Sequence, residues 1–353
     1  MTRKAQDSPP QAGSLRYSKS SGFYLETKRE FFAGNDSLLE KAERLNALYA
    51  RQPPRLRCKI CDSLLAQASD LHQHGVDYKF CSQCGHLNGA HEDTKAFVDD
   101  VYISAHGSAY AASYLDANFA RRVDDIYVPK VRFLLDNLTV GGVRLLDVGC
   151  GGGYFVCAAL KSGIDATGID VGETMVRFGN AHIEQLLGVR PLSPCEESAL
   201  YTHALSTDAD VISAIGVIEH LREPHRFFQS FRAGRARYML YSVPMFSLSV
   251  ILENAFPGVF PRQLSGGHTH LFTEASLLRM NQALGVVPVA EWRFGTDAMD
   301  LYRSLACMIG KHGGSAMLQQ HLQNGLGTQI DALQSVLDRN HFCSEIHVLA
   351  VKK

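Results

Sequence analysis

Apolar residues recur at two different spacings along the chain, and the change of spacing divides it into two parts. Residues 36–50 place leucine and alanine at helical spacing, with Asp36 or Ser37 positioned to cap the helix, and residues 108–138 repeat a helical pattern. From Val143 onward, short apolar runs of strand length alternate with helical segments. This alternation predicts βαβ units and a parallel sheet with helices on its faces.

The second part is therefore expected to have an α/β fold, with a doubly wound, mostly parallel sheet. At least six strands are expected in it, and a long stretch at 245–272 is irregular. The predicted strands lie at 143–149, 165–170, 210–218, 237–244, 286–295 and 345–353, and the predicted helices at 154–163, 171–187, 223–234 and 273–285.

The N-terminal part of the chain has a different composition. Residues 1–20 are rich in serine, proline, glycine and lysine, which predicts a disordered tail. Residues 21–57 are expected to form a helical extension, and Pro53 and Pro54 end its helix. Residues 58–100 are expected to form a separate compact module, because they contain two Cys-x-x-Cys pairs.

These pairs are Cys58 with Cys61 and, after nineteen intervening residues, Cys81 with Cys84. Two such pairs at this separation fit a tetrahedral zinc site made of four thiolates. Four protein ligands leave no open coordination position, so we expect a structural zinc ion that holds together a segment too short to bury its own core. Metal-bound rather than disulfide-bonded cysteines also favour a cytoplasmic location.

Composition and charge narrow the choice of partners. The chain has 46% apolar and 20% charged residues, as a globular protein does, and its 35 lysines and arginines balance 36 aspartates and glutamates. Proteins that follow a phosphate backbone usually carry a basic excess, so a nucleic-acid partner is not favoured, although residues 1–57 are locally basic. We expect no membrane span and no secretory signal peptide.

A glycine-rich loop, residues 147–153 (DVGCGGG), follows the first strand of the predicted sheet. Glycines at a strand-to-helix turn allow a tight turn and let a ligand approach the backbone. Asp170 ends the next strand, where a carboxylate can accept the hydroxyl groups of a ribose. The glycines do not fit the G-x-G-x-x-G register of a dinucleotide site. The acid at Asp147 would repel a pyrophosphate but suits the amino group of a methionine moiety.

The two segments resemble the first and second motifs of class I S-adenosylmethionine (SAM)-dependent methyltransferases. The resemblance covers about residues 105–353 and implies a seven-stranded sheet in a domain spanning 101–353. It also implies that the glycines wrap the methionine part of SAM, between an acid near its amino group and an acid at its ribose. A tyrosine on the helix before the loop either covers the cofactor or packs in the core. The cofactor-binding residues implied in this way are Asp147, Gly149, Gly151, Gly153, Asp170 and Tyr110.

The predicted strand at 210–218 runs into Glu219 and His220. Ligands of open α/β sheets bind at the carboxyl ends of the strands, so both side chains are expected to face the methyl acceptor. The methyl group of SAM is already activated, which leaves the protein to align the acceptor and take up its proton. We expect His220 to be the general base and Glu219 to orient it. A packing role or a role beside the cofactor is the alternative.

A second histidine pair, His268 and His270, closes the irregular stretch. In the resembled fold this connection lies over the acceptor pocket, so either histidine is a candidate base or hydrogen-bond donor. The alternative is packing against the start of the helix at 274–284. Glu253 and Arg262 nearby either bind a polar acceptor or remain solvated.

The combination of a four-cysteine module, this domain and the Glu-His pair resembles sugar methyltransferases of deoxysugar and surface-polysaccharide pathways. It also resembles zinc-containing ribosomal RNA methyltransferases. Balanced charge favours the sugar group, and residues 292–302 are similar to a segment of polysaccharide-cluster enzymes. We expect methyl transfer to a sugar hydroxyl or carbon, in a nucleotide sugar or a surface glycan. The alternatives are an RNA methyltransferase and a module that binds SAM and zinc without catalysis.

Overall fold

The computed structural model of the protein describes residues 13–27, 34–102, 118–265 and 267–353. Tyr110, the predicted cofactor contact, lies outside these residues. The strands are β1 (Ser14–Tyr17), β2 (Leu71–Gln73), β3 (Val76–Phe80), β4 (Leu87–Gly89), β5 (Arg144–Val148), β6 (Asp165–Asp170), β7 (Leu192–Pro194), β8 (Val211–Ile215), β9 (Tyr238–Pro244), β10 (His270–Leu271), β11 (Val286–Phe294) and β12 (Glu345–Lys352).

The helices connect these strands and cover both faces of the larger sheet. A π-helical turn (Val123–Tyr127) and two 3₁₀ turns (Ile218–His220 and Gly327–Gln329) complete the regular structure of the described residues. The α-helices are α1 (Gly22–Thr27), α2 (Asn35–Tyr49), α3 (Lys95–Tyr102), α4 (Phe119–Arg122), α5 (Val128–Asn137), α6 (Tyr154–Lys161), α7 (Glu173–Leu187), α8 (Glu197–Ser206), α9 (Pro224–Ala233), α10 (Leu248–Ala255), α11 (Glu274–Leu284), α12 (Asp297–Lys311), α13 (Ala316–Gly325) and α14 (Ile330–Arg339).

The larger sheet confirms the expected α/β class. Its strand order is β1-β11-β12-β9-β8-β5-β6-β7. Strands β9, β8, β5, β6 and β7 are parallel, and β12 is antiparallel to both of its neighbours. The chain leaves β5 for β6 on one side and returns to β8 on the other. A crevice therefore opens at the carboxyl ends of β5 and β8, where such sheets bind ligands.

The sheet has eight strands rather than the predicted seven, because residues from the predicted disordered tail form a strand at its edge. Strand β1 pairs in parallel with β11. The Arg16 guanidinium stacks 4.0 Å from the ring centroid of Trp292, and the Trp292 indole N–H donates to the Ser18 carbonyl at 2.9 Å. Composition alone suggested disorder, whereas these long-range contacts with a buried tryptophan order residues 14–18.

The smaller sheet joins the cysteine segment to the larger domain. Its strand order is β10-β4-β3-β2, so one of its four strands is contributed by residues 270–271. Helix α2 packs on it through Tyr49, and one apolar cluster combines Tyr49, Tyr78 and Leu87 with Val250 and Leu264. The cysteines belong to another cluster, which extends into the core of the larger domain. The segment at 58–100 thus shares its core with the domain that follows.

Two local predictions were wrong because distant contacts decide the helix boundaries. Helix α2 begins at Asn35, and neither Asp36 nor Ser37 caps it, since the Asn35 side chain bonds to the backbone of Gly258 and Phe260. The irregular stretch at 245–272 contains α10. Its Ser249 N–H donates to the carboxylate of Asp297, 48 residues away, at 3.0 Å. A cap supplied from another element leaves no local sequence signal.

Within the described ranges, the structure contains no helix that is both long enough and apolar enough to cross a bilayer.

Candidate active site

The glycine loop turns sharply between β5 and α6, and three of its glycines have positive φ. Gly149 has φ +71°, Gly151 +51° and Gly153 +70°. A Cβ on Gly149 would lie 2.5 Å from Val217, and one on Gly153 would lie 2.5 Å from Leu192, so both positions exclude a side chain by close packing. A Cβ on Gly151 would meet only the end of Met175 at 3.9 Å. Gly151 is therefore the glycine that opens toward space a cofactor can occupy.

Asp147 is the last residue but one of β5 and lines the cavity beside the loop. It is 3% exposed, and the Ser213 hydroxyl on β8 donates to its Oδ1 at 2.7 Å. Burial raises the pKa of the Asp147 carboxyl to about 7, while the bond from Ser213 opposes that rise. A buried carboxylate with one neutral donor is well suited to a cationic amino group, as predicted for the amine of SAM.

The Asp170 carboxylate, at the end of β6, fixes the backbone of the glycine loop. Its Oδ2 accepts the Gly151 N–H and its Oδ1 the Gly172 N–H, both at 2.7 Å. Burial raises the pKa of the Asp170 carboxyl, and the two backbone donors lower it. The side chain thus shapes the turn at Gly151, and the second lone pair of each oxygen still allows it to accept a hydroxyl group.

One cavity of about 440 Å³ runs from the glycine loop to the end of β8. Gly149, Gly151 and Gly152 line it at one end, whereas Gly153 packs against Leu192 and Ile183. Gly153 therefore does not line the cavity, and close packing against these two side chains accounts for the glycine at this position.

Three basic residues line the same cavity and were missed in the sequence: Lys19, Arg122 and Lys130. The Arg122 guanidinium lies 5.1 Å from the ring centroid of Tyr154, and Lys130 Nζ lies 3.9 Å from Glu345 Oε1. They come from the segment before α1, from α4 and from α5, so no spacing in the sequence marks them as a group. Their charge suits an anionic group such as the carboxylate of a methionine moiety.

Glu219, His220 and His268 meet at the other end of the cavity. The imidazoles of His220 and His268 stack with centroids 5.1 Å apart, and His220 Nε2 lies 3.8 Å from Glu219 Oε1. That distance is too long for the hydrogen bond by which Glu219 was predicted to orient His220. One ligand atom from each of the three side chains lies within 4.8 Å of the others, so the group could also hold a metal ion.

The protonation states at this end follow from burial. Burial raises the pKa of the Glu219 carboxyl to about 8, so this side chain is mostly a neutral acid at pH 7. Burial also holds the pKa of His220 well below its ordinary value and lowers that of His268. Both imidazoles are therefore neutral near pH 7 and able to accept a proton.

Of the second histidine pair, only His268 lines the cavity. His270 is fully buried on β10, where its Nε2 lies 2.9 Å from Asp93 Oδ2 and its ring stacks on His86. Burial lowers the pKa of His270 to about 3. His270 thus belongs to a polar cluster behind the site.

The two residues predicted either to bind the acceptor or to remain solvated have different positions. Glu253 is buried and accepts the backbone N–H groups of residues 262–264, so it shapes the loop beneath the cavity. Arg262 lines the cavity, and its Nη1 donates to Thr296 Oγ1 at 2.8 Å and to Asp300 Oδ1 at 3.1 Å. Neither side chain is simply solvated.

The four predicted zinc ligands come together. The Sγ atoms of Cys58 and Cys84 lie 3.6 Å apart, and those of Cys61 and Cys81 lie 3.4 Å apart. A tetrahedral zinc ion with four thiolates requires sulfur atoms about 3.8 Å apart. All four sulfurs lie within 4.8 Å of one another, so the donor set fits a zinc ion.

Known proteins match the region that contains this site. Residues 115–291, half of the chain, match the family described as a methyltransferase domain. A ubiquinone biosynthesis O-methyltransferase from Coxiella burnetii is 30% identical over 108 residues, which are 30% of this chain and 44% of that protein. One from Bordetella avium is 32% identical over 88 residues, covering 24% of this chain and 34% of that protein. The chain thus spans less than half the length of these curated relatives.

Solved structures are also similar. Magnesium protoporphyrin IX methyltransferase from Synechocystis PCC 6803, with bound SAH, covers 74% of this chain and 100% of its own at 15% identity and a TM-score of 0.46. A SAM-dependent methyltransferase from Archaeoglobus fulgidus covers 67% of this chain and 100% of its own at 16% identity and a TM-score of 0.42.

Proposed function

Because the chain belongs to the methyltransferase-domain family, which confirms the predicted enzyme class, we propose that it transfers a methyl group from SAM to a hydroxyl oxygen of a small polar acceptor. One observation carries this proposal. The same cavity is lined at one end by the glycine loop with Asp147 and at the other by Glu219, His220 and His268. Donor and acceptor would thus meet inside one cavity, which aligns them for methyl transfer.

Different residues of the cofactor end are proposed to bind the different parts of SAM. The open face at Gly151 leaves room for the methionine part, and the Asp147 carboxylate attracts its ammonium group. Arg122 or Lys130 binds its carboxylate. Asp170, whose carboxylate accepts two backbone N–H groups, is the proposed partner of the ribose hydroxyls.

The acceptor end supplies proton chemistry. SAM provides a methyl group on a positively charged sulfur, which an oxygen can displace without further activation. His220, neutral because of its burial, takes up the acceptor's hydroxyl proton as the oxygen–carbon bond forms and the sulfur–carbon bond breaks. Glu219, mostly protonated at pH 7, donates a hydrogen bond to the acceptor, and His268 completes the wall.

The acceptor class is supported by the cavity lining. Beyond the glycine loop the lining includes Arg262, Gln263 and Thr296, which suit an acceptor with several hydroxyl groups, such as a sugar. The curated relatives are named O-methyltransferases, which favours transfer to oxygen over transfer to carbon. Their name also makes a hydroxylated aromatic compound the alternative small-molecule acceptor.

The four-cysteine segment is proposed to bind one structural zinc ion through Cys58, Cys61, Cys81 and Cys84. The sulfur separations of 3.4 and 3.6 Å support tetrahedral coordination. A metal assay on the purified protein should give one zinc per chain, and exchange of Cys84 for serine should remove it. A chain that binds no zinc at any stage of purification would refute this part of the proposal.

The acceptor class is tested by incubating the purified chain with methyl-labelled SAM and three substrate pools. The pools are nucleotide sugars with surface glycans, hydroxylated aromatics such as catechol, and total RNA. Label in the sugar pool supports the sugar proposal, and label in the aromatic pool replaces it. Label in RNA with a steep salt dependence would instead indicate the RNA alternative and implicate residues 1–57. Bound SAM without label in any pool would indicate a non-catalytic module.

The base is tested by exchange of His220 for glutamine. We expect kcat to fall about 100-fold or more, because the acceptor loses its proton acceptor, while SAM affinity stays within about twofold. His203→Gln, an exposed histidine on α8, is the matched control and should leave both unchanged. Adding divalent metal ions to each protein tests whether Glu219, His220 and His268 bind a metal ion instead. If methyl transfer depends on a metal ion other than the structural zinc, His220 is a metal ligand and not the general base.

A further inference from the structure

The lysine inside the first Cys-x-x-Cys pair reaches the turn that carries two residues of the proposed active site, Glu219 and His220. Lys59 lies between Cys58 and Cys61 and is 6% exposed. Its Nζ donates to the backbone carbonyl of Glu219 at 3.0 Å and to Asp93 Oδ2 at 2.8 Å. The Lys59 ammonium group thus holds the 3₁₀ turn that carries Glu219 and His220.

Asp93 connects Lys59 to residues 268–270, the other chain segment at the acceptor end. Its Oδ1 accepts the Thr269 hydroxyl at 2.8 Å, and its Oδ2 lies 2.9 Å from His270 Nε2. The Arg55 guanidinium bonds to the same carboxylate at 3.0 Å. Thr269 directly follows His268, so one carboxylate fixes the backbone on which His268 stands.

A backbone ladder reinforces the same segment. Strand β4, which follows Cys84, pairs antiparallel with β10 through Asn88 and Leu87. The Gly89 N–H also donates to the Thr269 carbonyl at 2.7 Å. A Cβ on Gly89 would lie 3.0 Å from that carbonyl and 2.2 Å from the Tyr49 hydroxyl, so only glycine lets the two strands approach. The cysteine segment therefore holds both pieces of chain that bear the acceptor-side residues.

Burial of Lys59 indicates that this contact is more than incidental. An ammonium group is unfavourable inside a protein unless charged and polar partners replace its water. A lysine that served only the cysteine pair could remain in solvent, as long lysine side chains usually do. Lys59 is instead buried, with one partner in the cysteine segment and one in the 3₁₀ turn.

We propose that the four-cysteine segment positions the acceptor end of the active site, with Lys59 as the positioning residue for Glu219 and His220 and β4 as the support for His268. This inference rests on the proposed methyl transfer. A zinc ion held by the four cysteines would then contribute to catalysis without contacting substrate, because it would fix the cysteine pair from which Lys59 extends.

Exchange of Lys59 for methionine tests the proposal, with Lys79→Met on β3 of the same segment as the matched control. We expect the Lys59 variant to lose about 100-fold in kcat, the scale of a displacement of about 1 Å, with zinc content and SAM affinity unchanged. Lys59→Arg keeps a cation between Asp93 and Glu219 and should recover most of the loss. Hydrogen exchange at residues 218–221 should quicken in the methionine variant and stay unchanged in the control.

A kcat within twofold of the parent, or exchange at 218–221 that does not change, would overturn the proposal. A second measurement does not depend on the folding of any variant. Treating the parent protein with a zinc chelator should quicken exchange at 218–221 and 268–271, while SAM keeps residues 149–153 protected. Unchanged exchange at the first two segments would also overturn it. These exchange experiments need no turnover, so they separate failure of this proposal from failure of the proposed methyl transfer.

Discussion

The two ends of the cavity are built in opposite ways, although both lie at the carboxyl edge of one sheet. The glycine-loop part of the cofactor end comes from one stretch of chain, residues 147–170, and depends on backbone conformation: positive φ at three glycines and amide donors held by Asp170. The acceptor end is assembled from distant residues. Lys59 and Glu219 are separated by 160 positions, and Asp93 and His270 by 177.

The difference shows which parts of a site depend on local sequence. A turn between a strand and a helix closes on itself, so its requirements are written in adjacent residues. A buried ion-pair cluster depends on partners supplied by separate elements, and each partner alone is an ordinary polar residue. The cofactor end should therefore respond to changes in backbone conformation, and the acceptor end to changes in a few buried charges.

The largest effect on the cofactor end is expected from exchange of Gly151 for alanine. The added Cβ enters open space at the loop with φ +51°, and SAM affinity should fall about 30-fold, or ~2 kcal/mol. Gly163→Ala is the matched control, since its φ is +82° and nothing lies within 4 Å of its Cβ position. Both variants carry the strain of a left-handed residue, roughly 1–2 kcal/mol, but only Gly151 faces the cavity. If calorimetry gives the Gly151 and Gly163 variants the same SAM affinity, Gly151 does not face the cofactor.

A second prediction concerns the pH dependence of SAM binding. The pKa of Asp147 is raised to about 7 without ligand, and the ammonium group of SAM favours the ionised carboxylate. Below pH 7 the carboxyl must release a proton when SAM binds, so affinity should fall toward about tenfold per pH unit as the pH is lowered. Exchange of Asp147 for asparagine should flatten this dependence. An equally steep slope in the asparagine variant would mean that another group binds the amine.

The smallest effect is expected from Ser213, which tests where the cofactor end stops and the acceptor end begins. Ser213 stands on β8, the strand that leads to Glu219, but its hydroxyl bonds to Asp147. Exchange of Ser213 for alanine removes one hydrogen bond to the buried carboxyl and should weaken SAM binding about threefold near pH 7. The kcat at saturating SAM should not change. Ser206→Ala, at the exposed end of α8, is the control. If kcat falls in the Ser213 variant but not in the control, Ser213 also contributes to the acceptor end.

The predictions from the sequence divide along the same line. The α/β sheet, the glycine loop and the four-cysteine cluster were predicted because apolar spacing, glycine and paired cysteines act over a few residues. The edge strand at 14–17 was missed because its order comes from Trp292. Helix α10 was missed because Asp297 bonds to its first turn from 48 residues away. The choice between His268, which lines the cavity, and His270, which is buried on β10, likewise depended on tertiary packing.

By itself, the sequence determined the fold class and the glycine loop with the acid that follows it, since a strand, a glycine turn and a following acid are local features whose geometry follows from backbone sterics. Only the tertiary structure decided that Gly153 packs rather than lines the cavity, that Glu219 lies too far from His220 to bond, and that Lys59 bonds to the backbone of Glu219. These outcomes depend on distances between elements remote in the chain, where close packing and the burial of charge select one arrangement among many.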